Sequence, residues 1–361
     1  MSKLLCMLIL FVTVSAKGQG VLSILTLAQV QDKFALQYPQ RLNNSFGNKA
    51  LDVEDGIFSG NRGIRLQLYT GHGPIWGGSD GLNQLWYIIP SGMVSGKQTF
   101  RIMNAGYMNF ITAAGSDGFA AMATGSETNE QKWFFAQDDF NRNTNNFYLL
   151  SAGLLFQSPL ANYHASTADN ARVGLRQFTS DKTLFNFGFT EDGVSSSAPF
   201  TNVENGSLFT LWPKHAASKN LDVRAGGHSD GTAIQLFDAI PNNGNQIFKL
   251  ERHTVFGFNQ GYSISASWSS GVFRATIQPA ANGTALGTPI VLQNTVITPS
   301  PSQQWLILPI LRENGYYAVF NYNNGGRCLD VTGMGTTNTT TVQLWNFQNN
   351  NNQKWLIKRF P

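Results

Sequence analysis

Repetition constrains this chain more than any other feature. Near the C-terminus, Gly326 to Trp355 reads GRCLDVTGMGTTNTTTVQLWNFQNNNNQKW, which divides into two short strands, a loop and a third strand. Successive side chains of a strand point to opposite faces. With Leu329 and Val331 on a core, Asp330 faces the other way. With Val342 and Leu344 on that core, Gln343 and Trp345 turn outward together. The outward face then carries a carboxylate, an amide and a large ring, and Gln353 and Trp355 close the unit.

The arrangement occurs twice more. In Asn220 to Phe248 the equivalent outward places fall to Asp222, Gln235 and Phe237, with Ile234 and Leu236 inward. In Ala50 to Trp86 they fall to Asp52, Gln67 and Tyr69, with Leu66 and Leu68 inward. Between these lie weaker copies, giving six units in all: about Gln40–Pro90, Phe100–Gln137, Phe147–Thr190, Ser207–Arg252, Tyr262–Ile310 and Tyr316–Lys358. Each offers about four short strands between Gly- and Asn-rich turns, and such periods build blades, solenoids or pseudo-threefold barrels. A polar stretch without periodicity, 191–206, reads as a linker. It splits the units three and three. The expectation is an all-β chain of two tandem closed barrels, 21–190 and 207–361, with a six-bladed propeller as the competing architecture. Residues 21–38 fit either a short helix or a leading strand, and Lys33 to Tyr38 alternates well enough to begin a sheet.

Composition agrees with an all-β chain: 13% of residues are charged and 36 are glycine. The formal charge is +4, and the Lys and Arg residues are scattered without a run that tracks phosphates, so nucleic acid is not an expected partner. The first 20 residues place one Lys before an apolar run, Leu4 to about Val14, and then small residues. That is the pattern of a signal peptide, and the run is too short to span a bilayer. A secreted protein with no integral membrane segment after signal removal is expected. Cys6 falls in that segment and Cys328 stands alone, so no internal disulfide is expected. No Cys/His cluster has metal-ligand spacing; neither metal nor cofactor is expected.

Leu-Asp-Val, Gln-Leu-aromatic and Asn-Gln-x-Trp, in that order and spacing, resemble the ricin-type β-trefoil lectin family, whose signature is the Gln-x-Trp repeat. The resemblance covers nearly all of the chain after the signal segment, as two trefoils in tandem. Ala50 and Asn220 stand where Cys328 stands, so the cysteines usual in the family are missing there. The resemblance implies one shallow sugar pocket in each intact unit. In the sixth, Asp330 would accept from two hydroxyls, Trp345 would stack on the pyranose, Asn352 would bond another hydroxyl, Gln353 would brace the site and Gln343 would hold the Asp loop. The same roles would pass to Asp222, Phe237, Asn245, Gln246 and Gln235 in the fourth unit, and to Asp52, Tyr69, Asn83, Gln84 and Gln67 in the first. The chemistry suits the task independently. A carboxylate makes charge-assisted hydrogen bonds, and a ring supplies apolar contact at low entropic cost. A galactose or N-acetylgalactosamine type of sugar, with its continuous C–H face, suits the pairing and matches the family's usual preference.

Trp86, Trp133, Trp305 and Trp355 read as core fillers, their companion Gln residues pairing with backbone. The second unit has Phe110-Ile111-Thr112 for Leu-Asp-Val and Ala121-Met122-Ala123 for the Gln-Leu-aromatic step. The third and fifth are degenerate too, and no sugar is expected in any of the three. In the first unit an insertion, Gly71 to Asp80 with Trp76, stands beside the site. Two other readings compete: a glycoside hydrolase or its carbohydrate-binding subunit, and a protein-binding or toxin-delivery scaffold. A glycosidase needs two carboxylates flanking a bond. The adjacent acids Glu54-Asp55, Asp138-Asp139 and Glu191-Asp192 sit in apparent turns, where solvated acids are the simpler reading.

Overall fold

The computed structural model describes residues 22–32, 34, 39–44, 49–54, 64–71, 79–113, 118–126, 128–137, 146–154, 159–162, 168–175, 185–186, 205–255, 258–268, 274–295, 299–313, 315–322 and 327–361. The proposed signal segment, nearly all of the 191–206 stretch, Trp76 and the acidic pairs other than Glu54 lie outside these residues.

The C-terminal half closes into a ring of six antiparallel strands. Leu208–Pro213 pairs with Phe248–Val255, which pairs with Phe258–Ala266, which pairs with Trp305–Pro309. Trp305–Pro309 then pairs with Tyr316–Asn321, that strand with Trp355–Arg359, and Trp355–Arg359 returns to Leu208–Pro213. The N-terminal half repeats the ring. Gln40–Arg41 pairs with Leu85–Val94, followed in turn by Lys97–Asn104, Trp133–Gln137, Asn146–Ser151 and Phe185–Asn186, which closes on Asn43–Asn44. Closure removes the free edges that an open sheet would have to protect. Propeller blades would not close in this way, so the propeller is set aside.

Each unit contributes a hairpin that caps its barrel. In the C-terminal half these are Lys219–Val223 with Ile234–Asp238, Arg274–Pro279 with Ile290–Thr295, and Arg327–Val331 with Val342–Asn346. The hairpins bond one another cyclically. Leu292 donates to the carbonyl of Thr232, Leu344 to that of Thr288 and Leu236 to that of Thr340, each at 2.8 Å. This pseudo-threefold cap on a six-stranded barrel is the β-trefoil.

The closing tryptophans fill the two cores. Trp86 and Trp133 lie fully buried in one apolar cluster, Trp305 and Trp355 in the other. Each indole N–H meets a backbone carbonyl: Leu51, Ile111, Ile277 and Leu329 respectively, at 3.0–3.1 Å. A buried indole needs such a partner. The third unit has no Trp, and in the fourth Phe248 takes the place. A further apolar cluster joins the halves, with Tyr87, Met103 and Phe110 against Leu306, Phe320 and Phe347. Across it Tyr87 donates to the carbonyl of Pro309 at 3.0 Å, and Gly125 N–H to that of Phe347 at 3.0 Å.

The ambiguous N-terminal stretch contains both readings. Ser23–Ile24 pairs with Gln137 and Ala136. Leu27–Gln31 is a short helix, started by a capping box in which Thr26 Oγ1 accepts from Gln29 N–H and Thr26 N–H donates to Gln29 Oε1. Phe34 is buried, while 33 and 35–38 lie outside the described residues.

Candidate functional site

Register places each predicted trio as the alternation requires. Asp330 stands opposite Gln343, Asp222 opposite Gln235 and Asp52 opposite Gln67, with the aromatic residue two positions further along the second strand. Leu329, Leu344, Leu221, Leu236, Leu51 and Leu68 point the other way, into the cores. The acids do not stand in solvent, however. Asp52, Asp222 and Asp330 are 1%, 4% and 3% exposed. They face away from the barrel core but lie beneath the turn that carries the closing Asn-Gln.

In the sixth unit Gln343 Nε2 donates to Asp330 Oδ1 at 2.9 Å, while Asn352 Nδ2 and Gln353 Nε2 donate to Oδ2 at 2.8 and 2.9 Å. Gln353 also donates to the carbonyl of Asn346 and accepts from Gln348 N–H, so it pins the aromatic strand's end to the acid. A carboxylate has about four acceptor positions, and three are filled. Neutral amides do not repay the loss of water around the charge. Burial therefore pushes Asp330 up to about 6, against the opposing pull of its hydrogen bonds from Gln343, Gln353 and Asn352. The neighbouring Cys328 thiol is raised well above its ordinary range by its own burial and then by the Asp330 charge.

The first unit builds the same cage. Gln67 donates to Asp52 Oδ1 at 2.8 Å, and Asn83 and Gln84 donate to Oδ2 at 2.7 and 2.9 Å. The fourth differs. Gln235 donates to Asp222 Oδ1 at 2.9 Å and Gln246 to Oδ2 at 3.2 Å, but Asn245 does not reach the acid. Its amide lies over Gly226 instead, where a Cβ on that glycine would sit 3.0 Å from Asn245 Oδ1. Gly226 has φ +62°, in the tight turn that follows Asp222 and Val223. Met334 holds the equivalent turn position in the sixth unit with φ +55°. Asn352 turns inward to Asp330 and to the carbonyl of Val331. Asp222 is also raised by burial, opposed by Gln235 and Gln246.

Gln343, Gln353, Gln235, Gln246, Gln67 and Gln84 thus each donate to the carboxylate of their own unit. The asparagines are placed less simply. Asn83 and Asn352 are committed to the acid, with their Oδ1 atoms buried and unbonded among the described residues; Asn245 makes no bond to its acid. Tyr69, Phe237 and Trp345 are all half-buried. Trp345 is absent from the cluster between the halves and lies under the fifth unit's loop, where a Cβ on Gly287 would be 3.9 Å from its ring. That wall, supplied by the preceding unit, follows from the cyclic cap and has no signal within the sixth unit's own residues.

The degenerate units keep the frame and lose the chemistry. In the second, the register corrects the sequence alignment by one residue: Ile111, whose carbonyl meets the Trp133 indole, corresponds to Leu329, and Thr112 takes the acid's place, where Gln131 donates to its Oγ1, with Ala121 and Ala123 in the amide and ring positions. In the fifth, Gln278, Val291 and Gln293 replace the trio. In the third, Leu160–Asn162 pairs with Ala171–Leu175 without an Asp–Gln pair. No group of three or more His, Cys, Asp or Glu residues that could hold a metal ion occurs among the described residues. No helix among them is long and apolar enough to cross a membrane.

Residues 301–361 match the family model described as ricin-type beta-trefoil lectin domain-like. No curated protein matches the chain. Among solved structures, a mosquitocidal holotoxin is 16% identical, with TM-score 0.40; the match covers 89% of this chain and 34% of the holotoxin, so the chain spans about a third of that protein. A ricin B-like lectin of Macrolepiota procera, solved with lactose, is 20% identical over 44% of this chain and 100% of its own, with TM-score 0.36. The agglutinin from Abrus precatorius is 15% identical over 89% and 96%, with TM-score 0.31. The matched residues 301–361 are those that hold the sixth unit's motif set and its cage, and over that stretch the chain is similar to the ricin-type β-trefoil lectin-like domains.

Proposed function

We propose that the protein is a secreted, non-enzymatic, multivalent lectin that binds galactose- or N-acetylgalactosamine-type glycans through its first, fourth and sixth units. One observation carries the reading. Asp330 and Asp222 are buried carboxylates held by neutral amides, with no Lys or Arg paired to either among the described residues, and each stands beside a half-buried ring. A fold gains no stability from burying a charge this way, and costly buried acids gather at functional sites. A sugar hydroxyl donating to the remaining acceptor position, with its C–H face on the ring, uses both features.

The fourth site is the more open for this purpose. Asp222 carries two donors where Asp330 carries three, and Asn245 is left to bond a hydroxyl. A shallow monosaccharide site binds near the millimolar scale, about −4 kcal/mol. Several sites on one body raise avidity on a glycan-bearing surface by orders of magnitude. The test is a glycan array with the protein lacking residues 1–20, beside Asp222→Ala, Asp330→Ala and the double variant. Binding to terminal galactose or N-acetylgalactosamine that weakens stepwise supports the reading. Absence of binding to any glycan removes it in favour of a scaffold that binds protein.

A further inference from the structure

Beside the fourth site stands an aromatic pair that the five-residue motif does not include. The imidazole of His228 stacks on Trp268, with ring centroids 3.9 Å apart and planes within 7°. His228 is exposed, so one face of its ring rests on the indole and the other is open to solvent; Trp268 is half-buried and anchored on the second barrel's core. The pair adjoins the pocket. A Cβ on Gly244 would lie 3.9 Å from the indole, and Gly244 precedes Asn245. The Asn245 amide lies over Gly226, two residues before His228. Gly226 thus lies beneath the Asn245 amide and Gly244 beside the indole, so Asn245 borders both the acid and the rings. In the sixth unit Met334 occupies the place of Gly226, and Gly335 to Thr337 follow where Gly227 to Ser229 stand, so no ring takes the place of His228.

We infer that His228 and Trp268 form a second stacking subsite, so that the fourth unit takes a disaccharide or longer glycan while the first and sixth take one terminal sugar. This rests on the lectin reading above. The first sugar would sit at Asp222 and Phe237, and the next would extend past Asn245 to lay its C–H face on His228. Every sugar carries such an apolar patch, so the subsite selects chain length and linkage rather than a particular second residue. A stacked ring of this kind changes affinity by about tenfold.

The test is NMR titration of the isotope-labelled protein with methyl β-galactoside and with galactose-terminated disaccharides linked 1→3, 1→4 and 1→6. The Asn245 backbone amide reports the fourth pocket, and the His228 ring protons report the subsite. At least one disaccharide should move both signals and bind the fourth site about tenfold tighter than methyl β-galactoside. His228→Ala, a surface change, and Trp268→Phe should reduce that advantage and leave methyl β-galactoside affinity at Asn245 unchanged. Equal affinity for all four sugars, or an advantage that survives His228→Ala, overturns the subsite while the lectin reading stands. No shift at Asn245 with any sugar overturns both.

Discussion

Trp355 Nε1–H donates to the carbonyl of Leu329 at 3.0 Å, and Leu329 is the residue before Asp330. The ring that fills the barrel therefore also fixes the strand that presents the acid. The same pairing of Trp86 with Leu51 sets Asp52. The closing motif has two functions in one turn: its Gln reaches the carboxylate from above and its Trp holds the backbone from below.

Replacing Trp355 with Phe keeps most of the volume and removes the donor. The buried Leu329 carbonyl is then unpaired, which costs about 1–3 kcal/mol. Urea denaturation should show that loss, and sugar affinity at the sixth site should fall with it because the Asp330 strand loosens. The fourth unit, closed by Phe248, shows that the ring alone suffices for the fold.

Asp330 makes stability depend on pH in an unusual direction. Its carboxyl titrates at about 6 in the folded chain against an ordinary 3.8. Between those values the folded state binds more protons than the unfolded one, so stability falls as pH rises through this window and the full penalty is present above about 6. A rise of about two at ~1.36 kcal/mol per unit makes the penalty roughly 3 kcal/mol. Acidification from pH 7 to 4.5 should stabilise the sugar-free protein relative to Asp330→Asn, which cannot titrate. Asp222 shifts the same way in both proteins and cancels. Sugar binding at the sixth site needs the charged acceptor and should weaken as pH falls below about 6. Denaturation at a series of pH values checks the first claim and titration of sugar checks the second; a wild-type stability that rose with pH relative to the variant would contradict both.

Gln353→Ala removes one donor to Asp330 and leaves the Asn346 carbonyl and the Gln348 N–H without their partner. The cost should be about 2 kcal/mol, and the Asp330 carboxyl, losing one of its stabilising donors, should titrate higher still. Carboxyl carbon NMR follows that titration.

Gly226→Ala places a methyl 3.0 Å from the Asn245 amide. Asn245 should swing toward Asp222 and reproduce the Asn352 arrangement, filling a third acceptor position on the acid and withdrawing one partner from the sugar. The positive φ adds about 1 kcal/mol of strain, a tolerable amount since Met334 already adopts that conformation in the sixth unit. Affinity at the fourth site should fall by more than that small stability change explains.

Much of this was legible in the residues. A period of two fixed which of Leu329, Asp330 and Val331 faces the core, and five closing motifs fixed the repeat. What sequence could not give was the neighbourhood beyond one unit. Asn352 and Asn83 turn to their acids while Asn245 lies over Gly226, a difference that the asparagines themselves do not announce. The wall over Trp345 comes from Gly287 in the fifth unit, through the cyclic bonding of the cap. The stack of His228 on Trp268 joins residues forty positions apart in two units. Outward-facing also differs from exposed, because the turn bearing the closing Gln covers each acid.

The most direct test of the central claim is isothermal titration of the protein, without residues 1–20, with a galactose-terminated ligand, beside Asp222→Asn, Asp330→Asn and the double variant. The account predicts binding in the wild type, a loss of sites in each single variant and little beyond the first unit's contribution in the double. Undiminished binding in the double variant, in proteins shown to be folded, would contradict the assignment of these buried carboxylates as the sugar-holding groups.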